Sequence, residues 1–156
     1  MRLARRGRLG EVVTSWDADS PTAKGFPEVY ALALAHAGRT DEARRAAGAP
    51  TPIRHDYAFD LSWGIRGLLA VAVQDPARAE TAYDALLPFP DRLAAAGTAV
   101  LVLAPTAQIL GDLAVYRGDP EAAVRHYRQA VDVAARAGAD HWVRRATQAA
   151  SALGPT

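Results

Sequence analysis

Cysteine is absent from the 156 residues, and the two signs of charge nearly cancel, to a formal net charge of +1. The absence of cysteine excludes disulfides, thiolate nucleophiles and cysteine-type zinc sites. The balanced charge gives no general attraction to nucleic acid or to an acidic membrane surface. Ile is sparse, and no alternation of the strand type is sustained. We therefore expect a helical protein without a sheet that makes no direct contact with nucleic acid or membrane.

The N-terminal segment MRLARRGRLGE has basic residues but lacks the apolar stretch of a secretory signal. An uncharged stretch from Leu93 to Gly111 is just long enough to be considered as a membrane span. It is mostly Ala, Gly and Thr and contains Pro105 and Gln108, so a buried helix is the favoured interpretation. We expect the protein to be cytoplasmic.

Half of the residues are hydrophobic, and alanine, which has the highest helix propensity, is the commonest. Two segments repeat each other at an offset of 44 residues: GLLAVAVQDPARAETAY at 67–83 aligns without gaps on GDLAVYRGDPEAAVRHY at 111–127. Such a period is typical of stacked helical repeats. Each repeat is predicted to be two helices joined by a tight turn. Asp75 and Asp119 would cap the second helices, and the proline after each suits the first helical position.

These patterns predict one helical repeat domain over residues 1–156, with about nine helices. Its units are predicted at approximately 1–18, 26–47, 56–87 and 105–137, with a closing helix at 140–153. Asp91 to Ala104 is predicted as a short helix with a break near Gly97, and loops are predicted at Asp17–Gly25 and Gly48–Arg54.

The first unit is predicted to begin in the middle of a helix, so we expect an excised or incomplete domain. This leaves Val12, Val13 and Trp16 without a full partner helix, and apolar patches of that kind mark interfaces.

Residues with specific packing roles recur at the spacing of a known repeat. They are Trp63, Gly67, Ala79 and Tyr83 in one unit, Gly111, Ala123 and Tyr127 in the next, and Trp142 in the last helix. The chain thereby resembles the tetratricopeptide repeat (TPR). The resemblance implies an all-α fold of stacked helical hairpins in a right-handed superhelix. In it, Gly and Ala lie where the helices of a unit cross, and Trp and Tyr fill the gaps between units. The chain departs from the pattern at Arg66, which replaces a Leu, at Ala107, which replaces the Trp, and in its longer period.

A narrower resemblance covers residues 60–154. The runs LLPFPDRLAAAG and LGDLAVYRGDPEAAVRHYRQAVDVAARAGADHWVRRATQAAS are similar to the C-terminal repeat region of large actinobacterial regulators of the LuxR and antibiotic-regulator (SARP) types. The resemblance implies a sensor or interaction domain of a multidomain transcriptional regulator. The chain has no Gly-x4-Gly-Lys-[Ser/Thr] phosphate loop and no recognisable helix-turn-helix, so DNA binding or ATP hydrolysis would belong to other sequence.

In TPR proteins the inner face of the first helices lines a concave groove for peptides or partner helices. The residues carried over to that groove are Glu28, Leu32, Ala35, Gly64, Leu68, Val71, Gln108, Asp112 and Val115, with Tyr116 at the edge. Their mixture of apolar and polar types suits an apolar ligand or an amphipathic helix held by a few hydrogen bonds. The ring of Lys and Arg that a carboxylate clamp needs is missing. The alternative is that several of these residues pack against neighbouring helices.

These residues predict a non-enzymatic binding and regulatory module without a cofactor. A protein segment or small effector in the groove would bias the state of the other domains of a larger regulator. The alternative is a stand-alone, self-associating scaffold that forms a homodimer through its N-terminal unit.

The remaining residues that could carry chemistry have simpler interpretations. An enzyme would depend on the carboxylates of Asp56 and Asp60, four residues apart on a predicted helix, but the helix dipole explains an acid at Asp56. No metal is expected, because the four histidines lack the spacing of a helical metal site; they are His36, His55, His126 and His141. A basic cluster could touch phosphate or an acidic partner, or be a solvated terminus; it comprises Arg2, Arg5, Arg6 and Arg8.

Overall fold

The computed structural model describes residues 19–95 and 102–154, which form eight helices and one two-stranded sheet. In chain order these are α1 (Pro21–Gly25), α2 (Pro27–His36), α3 (Thr40–Ala47), α4 (Phe59–Val73), α5 (Pro76–Leu86), β1 (Leu93–Ala95), β2 (Val102–Pro105), α6 (Thr106–Tyr116), α7 (Pro120–Arg136) and α8 (Asp140–Ala152). The prediction of a mostly helical fold is confirmed. The expectation of no sheet is wrong, and the described residues form eight helices, not about nine. The predicted unit at 1–18 lies outside the described residues, as do the apolar interface and the arginine cluster placed there.

Successive helices are joined by one recurring turn. The backbone N–H groups of Arg39, Asp75, Asp119 and Ala139 each donate to the carbonyl five residues earlier, over 2.9 Å. The residue before each has a positive φ: 78° at Gly38, 58° at Gln74, 77° at Gly118 and 63° at Gly138. This is the Schellman arrangement of helix C-termini. It closes the pairs α2–α3, α4–α5, α6–α7 and α7–α8.

The two aspartates predicted as caps, Asp75 and Asp119, directly follow the positive-φ residue of their turns. The Asp75 carboxylate accepts from the N–H of Arg78 over 3.0 Å, and the Asp119 carboxylate accepts from the N–H of Ala122 over 2.9 Å. Each satisfies a helix donor that has no partner within the helix. The following prolines, Pro76 and Pro120, are the first residues of α5 and α7, where no N–H is needed. The predicted caps are therefore confirmed.

The first helices of successive pairs contact one another, so the pairs lie side by side. α2 packs on α4 and α4 packs on α6, while α7 packs on α8. The close approach of α6 to α7 depends on Gly111, where an added Cβ would lie 2.9 Å from Cζ of Tyr127 and closer still to other atoms of that ring. At Gly67 the corresponding Cβ would meet Cδ1 of Leu113 in α6 at 3.1 Å and Cβ of Ala82 at 3.5 Å.

The two repeat tyrosines therefore pack differently. Tyr127 covers the glycine of its own helix pair, at Gly111. Tyr83 reaches from α5 towards α7, where its hydroxyl lies 2.9 Å from Nε2 of His126, and the guanidinium of Arg117 lies 4.1 Å from its ring centroid. The aligned sequences thus make non-equivalent contacts.

The segment between α5 and α6 is the main departure from the sequence prediction. Instead of a short helix, its described parts form the antiparallel strands β1 and β2, with Ala94 paired to Ala104. The N–H of Thr106 donates to the carbonyl of Arg92 over 2.9 Å and ties the two ends together. Both alanines are buried. The predicted break at Gly97 lies outside the described residues.

Two further boundaries differ from prediction. The expected loop at Asp17–Gly25 contains α1, and α4 begins at Phe59 rather than at Asp56. The segment Gly48–Arg54 has no helix or strand, as predicted. Among the described residues, no helix is long and apolar enough to span a membrane.

Candidate functional site

Six of the predicted groove residues surround one cavity of about 450 Å³. They lie on α2, α4 and α6, the three neighbouring first helices, and are Leu32, Leu68, Val71, Gln108, Asp112 and Val115. The lining is completed by His36, Ala72, Leu103, Ala104, Ile109, Tyr127 and Arg145. This space is referred to as the central cavity. Its walls are mainly aliphatic, and its polar groups come from α2, α6, α7 and α8.

Four predicted groove residues lie elsewhere. Glu28 accepts from Nε of the buried Arg66 over 2.8 Å, and the same guanidinium donates to the carbonyl of Thr51 over 2.7 Å. Gly64 lies against α6 and the two strands, where an added Cβ would meet Cδ1 of Ile109 at 2.9 Å and Cβ of Ala94 at 3.3 Å. The other two, Ala35 and Tyr116, are partly buried and pack against core clusters. Glu28 and Gly64 therefore contact neighbouring elements and do not line the cavity, as the alternative interpretation of the groove residues expected.

Asp112 organises the polar end of the central cavity. Its Oδ1 accepts from the hydroxyl of Tyr127 over 2.8 Å and from Nε2 of Gln108 over 3.2 Å. Its Oδ2 lies 3.5 Å from Nη2 of Arg145. Burial raises the pKa of Asp112, although the Tyr127 hydroxyl, Arg145 and Gln108 each favour its charged form. Burial and the neighbouring carboxylate also raise the pKa of Tyr127, so that phenol remains a donor.

Gln108 is 1% exposed, and its Oε1 has no hydrogen-bond partner among the described residues. An ionised carboxylate has no hydrogen to donate, so Gln108 must turn Nε2 towards Asp112. That orientation leaves Oε1 as a buried acceptor without a donor. A buried polar group without a partner costs about 1–3 kcal/mol, and a ligand that brings a donor would recover that cost.

Two basic side chains that the groove prediction did not include stand at the rim. His36 ends α2, and Arg145 comes from α8 with 61% of its side chain exposed. Desolvation, and secondarily the charge of Arg145, lower the pKa of His36, which favours the neutral imidazole. The spacing of four residues between Leu32 and His36 was a usable signal, because it places both on one face of a helix. No sequence signal brings Arg145 to α6, because that contact depends on how α8 folds back.

The carboxylates considered for catalysis are held separately. Asp56 precedes α4 and accepts from the N–H of Ala58 over 2.9 Å, whereas Asp60 lies in the first turn of α4 with Oδ2 3.5 Å from Nη1 of Arg92. The prediction that both lie on one helix is therefore wrong. In the part of the chain that the structure describes, no group of three or more His, Asp or Glu side chains could hold a metal ion.

The other histidines make ring contacts. Centroids are 4.4 Å apart for His55 and Phe59 and 4.5 Å apart for His141 and Trp142. Desolvation, then the charge of Arg125, lower the pKa of His126, which faces Tyr83.

Comparisons of the chain with protein-family models, with curated proteins and with solved structures find no match. The functional argument therefore depends on the geometry of the central cavity.

Proposed function

We propose that the protein is a non-enzymatic binding module and that the central cavity is its ligand site. The supporting observation is the convergence of residues from three successive helix pairs on one cavity with aliphatic walls and a cluster of polar groups at one end. Cavities of roughly 300–1,000 Å³ with this mixture are typical of small-molecule sites. The volume of about 450 Å³ lies within that range.

The cavity size favours a small effector over an amphipathic helix. Helix-in-groove recognition uses an apolar stripe at i, i+3, i+4 and i+7 that follows several helical turns. The central cavity instead gathers its polar groups at one end and has a volume typical of small-molecule sites. A small molecule is thus the better occupant.

The regulatory part of the proposal rests on the resemblance to TPR domains of actinobacterial regulators. The recurring turn and the side-by-side first helices support a TPR-like stack. A ligand that touches α2, α4 and α6 together would favour one arrangement of the three helix pairs. In a larger regulator that preference would shift the state of an attached domain.

Matched substitutions test the site. Val115 lines the cavity and is 43% exposed, while Leu87 lies outside the cavity lining and is 45% exposed. We expect Val115→Glu to weaken binding of the amphiphilic dye anilinonaphthalene sulfonate at least fivefold, because it places a negative charge in the cavity wall, and Leu87→Glu to leave binding unchanged. Fluorescence titration measures both, with circular dichroism as the control for folding. Equal binding by the two variants would contradict the proposal.

A further inference from the structure

We infer that the central cavity binds a small zwitterion of the amino-acid type with a large apolar side chain. Its ammonium would lie on Gln108 and Asp112, and its carboxylate on Arg145. This inference rests on the proposed binding function and specifies its ligand.

The inner polar end of the cavity requires a donor. Gln108 Oε1 is a buried acceptor without a partner among the described residues, and Asp112 Oδ2 has only the 3.5 Å contact with Arg145. Strong charge-assisted bonds between nitrogen and carboxylate oxygen are about 2.7–2.9 Å long, so that contact is loose. An ammonium has three N–H donors and a positive charge, so it can donate to Oε1 of Gln108 and to Oδ2 of Asp112 together.

The basic side chains at the rim of the cavity can donate hydrogen bonds to an anionic group of a ligand. Arg145 is largely exposed, and its guanidinium has five N–H donors in a planar fork that matches a carboxylate. It can bind a ligand carboxylate while it stays near Asp112. The neutral imidazole of His36 stands on the same rim and has an N–H to donate.

The charges of the lining select a ligand that carries both signs. Asp112 and Arg145 are the acidic and the guanidinium residue of the cavity lining, and they oppose each other at its polar end. A zwitterion adds a close partner for each, whereas an ammonium alone adds none for Arg145 and a carboxylate alone adds none for Asp112. The apolar side chain would then contact the aliphatic wall formed by Leu32, Leu68 and Val71. An aromatic amino acid fits the available volume.

The test uses four compounds that share a phenyl group. L-phenylalanine has both charges, 2-phenylethylamine has only the ammonium, 3-phenylpropionate has only the carboxylate, and 3-phenylpropan-1-ol has neither. Titration calorimetry on the full chain should give L-phenylalanine an affinity at least tenfold higher than that of any of the other three.

Variants identify the groups involved. Arg145→Gln should lower the affinity for L-phenylalanine and for 3-phenylpropionate at least fivefold and leave the affinity for 2-phenylethylamine unchanged. Its matched control is Arg144→Gln, an exposed neighbour on α8 outside the cavity lining, which should change nothing. Gln108→Met keeps the approximate shape of the side chain but removes the Oε1 acceptor. It should lower the affinity for the two compounds that carry an ammonium, L-phenylalanine and 2-phenylethylamine.

The outcomes separate the two proposals. If 3-phenylpropan-1-ol binds as tightly as L-phenylalanine, or if Arg145→Gln has no effect on L-phenylalanine, the zwitterion is excluded while an apolar binding site remains. If no compound binds and the dye is insensitive to Val115→Glu, the proposed function fails as well.

Discussion

The contact between Gly111 and Tyr127 gives the sharpest test of the fold. We expect Gly111→Ala to destabilise the protein, because the new methyl group would overlap the tyrosine ring. The ring cannot move away freely, since its hydroxyl donates to Asp112 over 2.8 Å. Displacing the ring would therefore strain the packing of α6 on α7 and break that hydrogen bond.

The magnitude follows from three contributions. Overpacking costs about 1–3 kcal/mol. Loss of a hydrogen bond to a charged group costs about 1.5–3 kcal/mol. The higher helix propensity of alanine offsets about 1 kcal/mol of this. The free energy of unfolding should therefore fall by roughly 1.5–5 kcal/mol.

The matched control is Gly67→Ala, at the aligned position of the preceding pair. Its new methyl group would meet the flexible end of Leu113 at 3.1 Å, so we expect a change within about 1 kcal/mol. Urea denaturation followed by circular dichroism measures both variants. If Gly111→Ala is as stable as Gly67→Ala, the inference that Tyr127 is fixed against the helix backbone is wrong.

Three further predictions concern stability. Arg66→Leu should cost about 3 kcal/mol, because Glu28 loses its partner at 2.8 Å, and adding Glu28→Leu should recover most of that loss in the same denaturation assay. Asp75→Ala and Asp119→Ala should each cost about 1 kcal/mol by removing a helix cap, whereas Asp119→Asn should be nearly neutral. The lowered pKa of His36 contributes stability above pH 6.5 that is lost as the pH falls through the folded-state value, so His36→Gln should flatten the decline in unfolding free energy as the pH falls below 6.5.

Each of these has a clear contrary result. A double variant at Arg66 and Glu28 no more stable than Arg66→Leu would show that the unpaired carboxylate is not the source of the cost. Loss of less than a few tenths of a kcal/mol at either aspartate would exclude its capping role. Parallel pH curves for the native protein and His36→Gln would show that this histidine titrates as it does in the unfolded chain.

What could be predicted from the sequence was mainly local. The caps at Asp75 and Asp119 depend on residues three positions apart, so a short window of sequence contains their cause. The resemblance to the TPR groove placed Gln108 and Asp112 among the lining residues, where the structure also has them.

What could not be predicted depended on contacts distant in sequence. The alanines of β1 favour a helix by propensity, whereas in the structure they pair with β2 and Ala94 lies against Gly64 of α4. Glu28 and Arg66 are 38 residues apart, so no local pattern indicates that a predicted groove acid pairs with a buried arginine. Arg145 reaches the cavity only because the turn at Gly138 returns α8 onto α7.

The position of Arg145 links the cavity to the order of the C-terminal helix. Among the 13 residues of α8, only Ala146 is fully buried, and Ala149 and Ala150 lie partly buried against the core, so the closed position of this helix depends on few buried side chains. A ligand that contacts Arg145 in the cavity can bind only when α8 is packed in place. Its binding free energy therefore stabilises the closed state of α8 relative to any open state. Occupancy of the cavity should therefore slow amide hydrogen exchange along α8, well beyond the residues that touch the ligand. The last helix would in this way report whether the cavity is filled.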